Sequence, residues 1–172
     1  IVVDDHSTDS TATITQGFSF VKLIRLEEDS INSYKKKAIE KGIEAASGEL
    51  IVTTDADCIP PANWLKTIAA CKEENNAVFI AAPVVFSTNN SLLQVFQSLD
   101  FLVLQGITAA SVHKKIHSMC NGANLAYEKK AFEAVNGFSG IDTIASGDDM
   151  LLMHKIASQY PEQIHYLKTK DA

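Results

Sequence analysis

The 172-residue sequence contains very little arginine, and this limits how it can bind anions. Its 15 basic residues include a single arginine, Arg25, against 21 acidic residues, and the formal net charge is -6. A guanidinium holds a phosphate through two parallel hydrogen bonds, a geometry that lysine does not reproduce. The net charge repels nucleic acid and anionic lipid headgroups at long range. We therefore expect no nucleic-acid partner, and we expect a metal ion to offset the charge of any diphosphate ligand.

Cysteine is also scarce, and its spacing excludes two common uses. The three cysteines, Cys58, Cys71 and Cys120, are an odd number and include no C-x-x-C pair. Such a set is untypical of a disulfide framework or of a tetrahedral zinc site. The cysteines thus fit a protein kept in a reducing compartment.

No uninterrupted apolar run is long enough to predict a membrane span, which needs about 20 mainly apolar residues. The most apolar stretch, residues 91–110, is interrupted by Gln94, Gln97, Asp100 and Gln105. We expect this stretch to form a helix packed in the protein core. Its wide apolar face leaves docking on a membrane surface, or on further protein, as the alternative.

Short apolar runs alternate with helical patterns along the chain. Strands are predicted at residues 1–3, 21–26, 50–54 and 77–86. Helices are predicted at residues 33–46, 62–74, 92–104, 129–135 and 147–160, with polar connections at 27–32 and 87–90. This alternation predicts one α/β domain with a mainly parallel sheet, in which ligands bind beyond the carboxyl ends of the strands.

Two carboxylates follow the third predicted strand at close spacing. Asp55 and Asp57 flank Ala56 immediately after residues 50–54, so both lie at the edge of the sheet. Carboxylates this close repel each other, and a shared divalent cation with oxygen ligands removes that repulsion. For so short a motif on its own, a solvated turn before the next helix is an equally good interpretation.

Two further acidic pairs lie at predicted element boundaries. Asp4 and Asp5 follow the first strand, where helix capping is the simpler interpretation. Asp148 and Asp149 open the last helix, whose positive end favours ionised carboxylates. An aspartate in that position, held near a bound ligand, could accept a proton from an attacking hydroxyl. Taken alone, however, this pair is better explained as a helix cap.

The order of these motifs resembles that of the family 2 glycosyltransferases of the GT-A fold. The matching segments are residues 3–9, 37–49, 55–57, the G-x-N-x-x-Y segment 122–127, and 147–149. Each motif is short, but five in this order and spacing form a specific pattern over nearly the whole chain. The resemblance implies a Rossmann-like GT-A fold with a mixed, mainly parallel sheet flanked by helices.

The resemblance also implies a donor site. Asp5, with Asp4 beside it, corresponds to the carboxylate that reads the nucleotide base, and Asp55 to the residue facing the ribose and sugar. Asp57, together with Asp55, corresponds to the ligand of a Mg²⁺ or Mn²⁺ ion on the diphosphate of a UDP- or GDP-sugar. The remaining residues predicted for the nucleotide-sugar site are Lys37, Gly122 and Asn124.

The implied reaction is an inverting transfer of the sugar to a hydroxyl acceptor, which could be a glycan, a polysaccharide or a lipid. Asp149 corresponds to the general base, with Asp148 where many relatives have glutamate. In that scheme Asp149 deprotonates the acceptor, the hydroxyl displaces the nucleotide diphosphate in line, and no covalent nucleophile is needed.

Two features usual in this family are not found in the sequence. Relatives begin with an earlier strand, and they carry a Q/R-x-x-R-W segment beyond the general base. We therefore predict one catalytic domain, residues 1–172, that is incomplete at both ends. Because many relatives continue into membrane helices, the resemblance implies a cytoplasmic protein at the inner face of the membrane, working in cell-envelope polysaccharide synthesis.

Two alternatives remain at this stage. Phosphatases of the haloacid dehalogenase type also place D-x-D after an apolar strand, although Ile59 stands where they prefer threonine or valine. That assignment would leave Asp4, Asp5 and the G-x-N-x-x-Y segment unexplained. The other alternative is a non-catalytic nucleotide-sugar-binding module, against which the intact pair Asp148 and Asp149 argues.

Overall fold

The structure is a computed structural model that describes residues 1–27, 33–87, 91–169 and 171. Its strands are β1 (Val2–Asp4), β2 (Leu23–Arg25), β3 (Leu50–Thr53), β4 (Phe79–Ala81), β5 (Leu125–Glu128) and β6 (Ile164–Tyr166). Its helices are α1 (Thr11–Gln16), α2 (Tyr34–Ala45), α3 (Trp64–Asn75), α4 (Leu92–His113), α5 (Lys129–Ala134) and α6 (Asp148–Gln159). The polar connections predicted at 27–32 and 87–90 lie almost wholly outside the described residues.

The strands form one parallel pair, β1 with β2, and one four-stranded sheet in the order β3, β5, β4, β6. The larger sheet is mixed, since β5 runs antiparallel to both β3 and β4 while β6 runs parallel to β4. The mixed α/β architecture confirms the predicted fold class. The sequence does not predict β5 and β6, because their residues, LAYE and IHY, form no continuous run of apolar or β-branched side chains like those of the predicted strands.

The strand predicted at residues 77–86 is reduced to the three residues of β4. Pro83 has no backbone N–H and therefore cannot continue a sheet ladder as a donor. The apolar residues beyond it, Val84 to Phe86, leave the sheet and line a cavity. The apolar run in the sequence is therefore longer than the strand, because its last residues line the cavity.

Aromatic rings join the sheet to the helices that follow it. The ring of Tyr127 on β5 stacks on Phe79 of β4 at a centroid distance of 5.9 Å and on Phe132 of α5 at 6.0 Å. Phe132 in turn meets Phe138 edge to face at 5.4 Å. All four rings are buried, and burial of each such side chain contributes about 1.5–3 kcal/mol. This packing fixes the segment that leads to α6.

Gly137 lies at the one point of this aromatic cluster where a side chain does not fit. Its φ is +49°, and a Cβ atom there would lie 2.8 Å from the Phe132 ring. Gly140 also has a positive φ, +83°, but a Cβ there would meet nothing within 4 Å. We expect Gly137→Ala to lower the free energy of unfolding by about 1–3 kcal/mol more than Gly140→Ala does. Urea denaturation of both variants measures the difference, and equal losses would show that only backbone strain matters.

Helix α4 exposes most of its large apolar side chains, and three of its four buried side chains are polar. Gln105, Thr108 and Ser111 are buried, and the two hydroxyls donate to backbone carbonyls within the helix, at Leu104 and Thr108. The large apolar side chains exposed on the helix are Leu92, Leu93, Val95, Phe96, Leu99, Leu102, Val103, Leu104 and Ile107. The expectation that this helix packs in the core is therefore wrong.

The sequence-based expectation that this stretch is too polar to span a membrane also changes. Helix α4 has 22 residues and a mean hydropathy of 1.4 over its most apolar window, so by length and composition it could cross a bilayer. The interrupting residues are three uncharged glutamines and one aspartate, which do not outweigh the leucines and phenylalanines around them. Only 22% of that window is buried.

Candidate active site

Three loops meet at one edge of the four-stranded sheet. Thr53 at the end of β3 and Ala81 at the end of β4 both pair with Leu125, the first residue of the antiparallel strand β5. The segments 54–58, 83–87 and 121–124 therefore lie next to one another. This edge holds both the D-x-D motif and the beginning of the G-x-N-x-x-Y segment.

Lys35 lies between two of the acidic motifs. Its Nζ is 3.0 Å from Oδ1 of Asp55 and 3.8 Å from Oδ2 of Asp148. Burial works to lower the pKa of Lys35, but the hydrogen bond that its ammonium donates to Asp55 and the charges of Asp148, Asp55 and Asp149 outweigh it and raise the pKa. The side chain is therefore a cation at neutral pH, held among carboxylates at the sheet edge.

Asp149 is fixed by backbone amides on both of its oxygens. The amide of Gly122 donates to Oδ2 at 2.9 Å, and the amide of Met150 donates to Oδ1 at 2.7 Å. A Cβ atom on Gly122 would lie 3.5–3.6 Å from Lys35, Asp148 and Asp149, which shows how closely these groups surround the glycine. The structure thus brings together the D-x-D motif, the glycine of G-x-N-x-x-Y and the last acidic pair.

The loop that leads to Asp148 is held by buried side chains at the start of α2. The ammonium of Lys36, which is only 2% exposed, donates to the carbonyls of Ile144 and Ser146. The buried hydroxyl of Ser33 donates to the carbonyl between them, that of Ala145, at 3.5 Å. Three successive carbonyls are therefore bound to one helix end, and this fixes the entry into α6.

In the first acidic pair, the side chain of Asp4 is buried and that of Asp5 is exposed. Asp4 is buried, accepts a hydrogen bond from the amide of Ser7 at 3.1 Å, and lies 3.9 Å from the Nε of Arg25. Asp5 is exposed at the carboxyl end of β1 and pairs with the Nδ1 of His6 at 2.7 Å. Of the two, Asp5 is the carboxylate that a ligand can reach.

Asp55 and Asp57 form a donor set that suits a hard divalent cation. Mg²⁺ is usually held by one or two carboxylates together with substrate phosphates, and it keeps several waters. Both aspartates line the open cavity at the sheet edge. Among the described residues, no group of three or more histidines, cysteines or acids could hold a metal alone. A metal here would therefore need further ligands, from water or from a bound ligand.

Asn124, predicted for the donor site, is buried and already bonded at both ends of its amide. Its Oδ1 accepts from the indole N–H of Trp64 at 2.9 Å, and its Nδ2 donates to the carbonyl of Pro83 at 2.9 Å. This residue connects the start of α3 to the loop after β4. Its side chain therefore shapes the walls of the site.

The lysine that contacts the acidic residues differs from the lysine predicted for the nucleotide-sugar site. The resemblance pointed to Lys37, whereas Lys35 is the residue that contacts Asp55 and Asp148. Side chains two residues apart on a helix point in nearly opposite directions. Tyr34 opens α2 and three consecutive lysines follow it, so the rotation of the helix about its axis, which the sequence leaves open, decides which lysine contacts Asp55. The role of Lys37 in the nucleotide-sugar site stays a prediction.

Cys120 lies close to the site, where its surroundings disfavour the thiolate form. Burial raises the pKa of its thiol well above the usual range, and the charges of Asp149 and Asp148 raise it further. A protonated thiol is a poor nucleophile. The carboxylates and Lys35 are thus the groups that can act chemically here.

Comparison with solved structures shows a shared fold. The S. aureus TarS 1-349 structure in complex with UDP superposes with a TM-score of 0.69 at 18% identity, over 98% of this chain and 48% of that one. Glucosyl-3-phosphoglycerate synthase from Mycobacterium tuberculosis, in complex with UDP, gives 0.60 at 15% identity, over 95% and 56%. The chain therefore spans about half the length of these structures.

Sequence comparison identifies the family. The probable glycosyltransferase YdaM of Bacillus subtilis (strain 168) is 25% identical over 146 residues, which are 80% of this chain and 34% of the relative. The model of glycosyl transferase family 2 matches residues 1–135, which include the D-x-D motif and the G-x-N-x-x-Y segment. This match excludes the alternative that the chain is a phosphatase of the haloacid dehalogenase type. The chain belongs to glycosyl transferase family 2.

Proposed function

We propose that this chain catalyses inverting, metal-dependent transfer of a sugar from a UDP-sugar to a hydroxyl group. The observation that carries the proposal is the convergence of Asp55, Lys35, Asp148 and Asp149 around Gly122. A site with carboxylates for a cation, an ammonium for a diphosphate and a fixed carboxylate for a proton matches the needs of this reaction.

Asp149 is the general base of the proposed reaction. Two backbone amides orient its carboxylate, and its remaining lone pairs are available to accept the proton of the acceptor hydroxyl. The hydroxyl oxygen then bonds to the anomeric carbon as the bond from that carbon to the diphosphate breaks. Attack from the face opposite the leaving group inverts the configuration in a single step.

Lys35 and the D-x-D motif act on the leaving group. The ammonium of Lys35, which donates a hydrogen bond to Asp55, would offset the negative charge that develops on the diphosphate. Asp57 and Asp55 would hold the divalent ion, whose charge would stabilise the same leaving group. Asp5, the exposed member of the first pair, would bind the nucleotide base.

The choice of UDP and of a divalent metal is supported by the structural neighbours. TarS has been solved in complex with UDP-GlcNAc, and the mycobacterial synthase in complex with Mn²⁺, UDP-glucose and phosphoglyceric acid. GDP-sugars remain the alternative donor. The predicted location at the inner face of the membrane, the role in cell-envelope polysaccharide synthesis and the incompleteness of the domain stay predictions.

Calorimetric titration of UDP and GDP, with and without Mn²⁺, tests the proposal. We expect UDP to bind only in the presence of Mn²⁺, and we expect Asp57→Ala to weaken that binding at least about 100-fold, because even indirect partners of a metal contribute 10- to 100-fold. Asp171→Ala, which removes an exposed carboxylate near the end of the chain, is the control and should bind as the parent does. Failure of both nucleotides to bind the parent chain would contradict the proposal.

A further inference from the structure

A cavity of about 700 Å³ opens beside the D-x-D motif. Asp55 and Asp57 line it on one side. The other walls come from three segments: residues 59–61 with Trp64 at the start of α3, the loop 83–87 after β4, and the turn 121–124 before β5. Lys35, which bonds to Asp55, is not among the described residues that line the cavity. Asp55 thus borders both the lysine and the cavity.

The proposed function indicates which part of the donor would enter this cavity. The divalent ion and the diphosphate would bind at Asp55 and Asp57, and the base at Asp5. The sugar is attached at the end of the diphosphate opposite the nucleoside. Because the cavity borders the D-x-D motif and is lined by neither Asp5 nor Lys35, the sugar is the part of the donor that would enter it.

The turn at 121–124 connects the cavity to the general base. Asn121 and Ala123 line the cavity, and the amide of Gly122 between them donates to Oδ2 of Asp149 at 2.9 Å. An acceptor hydroxyl bound at Asp149 would therefore approach the donor sugar beside this turn.

Asn124 connects three of the segments that surround the cavity. Its Oδ1 accepts from the indole N–H of Trp64 at 2.9 Å, and its Nδ2 donates to the carbonyl of Pro83 at 2.9 Å. Its backbone carbonyl accepts from the amide of Ala82 at 3.0 Å, and its backbone amide donates to the carbonyl of Asn121 at 3.2 Å. One residue thus fixes the start of α3, the loop after β4 and the turn before β5 relative to one another.

Trp64 offers a ligand more surface than Asn124 does. Asn124 is only 6% exposed, and each polar atom of its amide already has a partner in the protein. Trp64 is half-buried and lines the cavity. A fixed aromatic ring suits a sugar, which has apolar faces and polar edges. A change at Asn124 would therefore affect the sugar through Trp64.

We propose that Asn124 is a positioning residue for the donor sugar, which holds the ring of Trp64 and the loop after β4 in the arrangement that receives the sugar. This role is indirect, whereas the resemblance implies that Asn124 belongs to the nucleotide-sugar site itself. The proposal rests on the proposed function, because it takes the D-x-D motif as the site of the diphosphate.

Calorimetry on Asn124→Ala tests the proposal with UDP-glucose, UDP-galactose and UDP-N-acetylglucosamine in the presence of Mn²⁺. The change frees the indole of Trp64 and the carbonyl of Pro83, so the wall is no longer preorganised. We expect the UDP-sugar that binds the parent most tightly to lose at least about 10-fold in affinity. UDP alone should bind within about 3-fold of the parent, because Asp5 and Asp57 are not bonded to Asn124.

Asn75→Ala is the matched control. Asn75 lies at the other end of α3, where its amide donates to the carbonyl of Cys71 at 2.9 Å, so both affinities should stay as in the parent. Unchanged affinity of Asn124→Ala for the UDP-sugar would overturn the proposal. Equal weakening of UDP and the UDP-sugar in a folded variant would also overturn it.

Trp64→Phe tests the same hydrogen bond from its other end, and it does so even if Asn124→Ala does not fold. The change keeps an aromatic ring and removes the N–H that Asn124 accepts. We expect weaker binding of the UDP-sugar with unchanged binding of UDP. The double variant should lose less affinity than the product of the two single losses, because both changes break one interaction. A loss equal to that product would contradict action through Trp64.

The emission of Trp64, the only tryptophan in the chain, gives a spectroscopic readout. In the parent, the UDP-sugar should change this emission saturably, because the sugar lies against the ring. Asn124→Ala should shift the emission to longer wavelengths, since the ring gains contact with water, and Asn75→Ala should not. A UDP-sugar that binds by calorimetry and leaves the emission of the parent unchanged would contradict the placement of the sugar.

The same titrations separate this proposal from the proposed function. A parent chain that binds neither UDP nor any of the UDP-sugars contradicts the proposed function. A parent that binds UDP with Mn²⁺ but none of the UDP-sugars contradicts the positioning role alone. The same holds if the variants at Asn124 and Trp64 bind the UDP-sugar as tightly as the parent does.

Discussion

Replacing Asp149 with asparagine is expected to lower the rate of sugar transfer by about 100- to 10,000-fold, the range over which a general base contributes. The amide of asparagine keeps the shape of the side chain and one hydrogen bond from the backbone, but it cannot accept a proton from the acceptor. Binding of UDP with Mn²⁺ should remain within about 3-fold of the parent, because donor binding depends on Asp57 and Lys35. Steady-state release of UDP in the presence of an acceptor measures the first effect, and calorimetry the second.

Asp142→Asn is the matched control for this variant. Asp142 is exposed in the same loop before α6, where it accepts a hydrogen bond from the amide of Gly140, so its loss should leave transfer within about 2-fold. Equal rates for Asp149→Asn and the parent would exclude Asp149 as the base. A parent that binds the donor and has no transfer activity would instead favour the non-catalytic binding module.

Replacing Lys36 with methionine is expected to lower kcat about 100-fold while donor affinity changes by less than about 3-fold. The change frees the carbonyls of Ile144 and Ser146, which the ammonium now holds, and so loosens the loop that positions Asp148 and Asp149. Displacement of a catalytic group by about 1 Å is enough for an effect of this size. The split between kcat and donor affinity, measured by initial rates and calorimetry, separates this role from general unfolding.

Two further variants test whether the position of the loop is the cause. Lys41→Met removes a lysine on the same helix that pairs with Glu44, and it should leave kcat unchanged. Lys36→Arg keeps a donor at the buried position and should recover part of the lost rate. A similar fall in kcat for Lys36→Met and Lys41→Met, or a loss of donor binding equal to the loss of rate, would contradict the positioning role.

The acidic part of the site could be predicted from the sequence, because its residues are tied to element ends. Asp55 follows a strand of continuous apolar residues, and Asp148 opens a helix. A carboxylate at such a boundary lies at the edge of the sheet whatever the register of the neighbouring elements. Order along the chain therefore sufficed to identify the motifs that the structure brings together around Gly122.

The basic part of the site could not be predicted in the same way. Lys35, Lys36 and Lys37 are chemically identical in the sequence, yet one reaches the D-x-D motif and one is buried against loop carbonyls. Their roles depend on where α2 begins and on which way it is rotated about its axis. The spacing of the lysines determines neither the start of α2 nor its rotation. Which lysine faces the D-x-D motif therefore depends on how the helix packs in three dimensions.

The cavity that Asp55 and Asp57 line also has aromatic side chains in its wall. These could not be predicted from the sequence, for a related reason. Trp64 and Phe101 lie 37 positions apart and belong to different helices, and both fit the apolar patterns from which core residues are predicted. The pairing of β4 with β5, a strand that the sequence does not predict, brings the loop after β4 between them. The hydrophobic periodicity of the sequence therefore does not predict which residues form this wall.

The outward apolar face of α4 has a consequence for how this chain behaves on the bench. A surface with nine large exposed apolar side chains favours association with other molecules far more than the surface of an ordinary soluble protein does. Purified alone, the chain should self-associate as its concentration rises, bind hydrophobic dyes while still folded, and become monodisperse in mild detergent. Its colloidal behaviour is thus governed by one helix, even though the net charge of the whole molecule favours solubility.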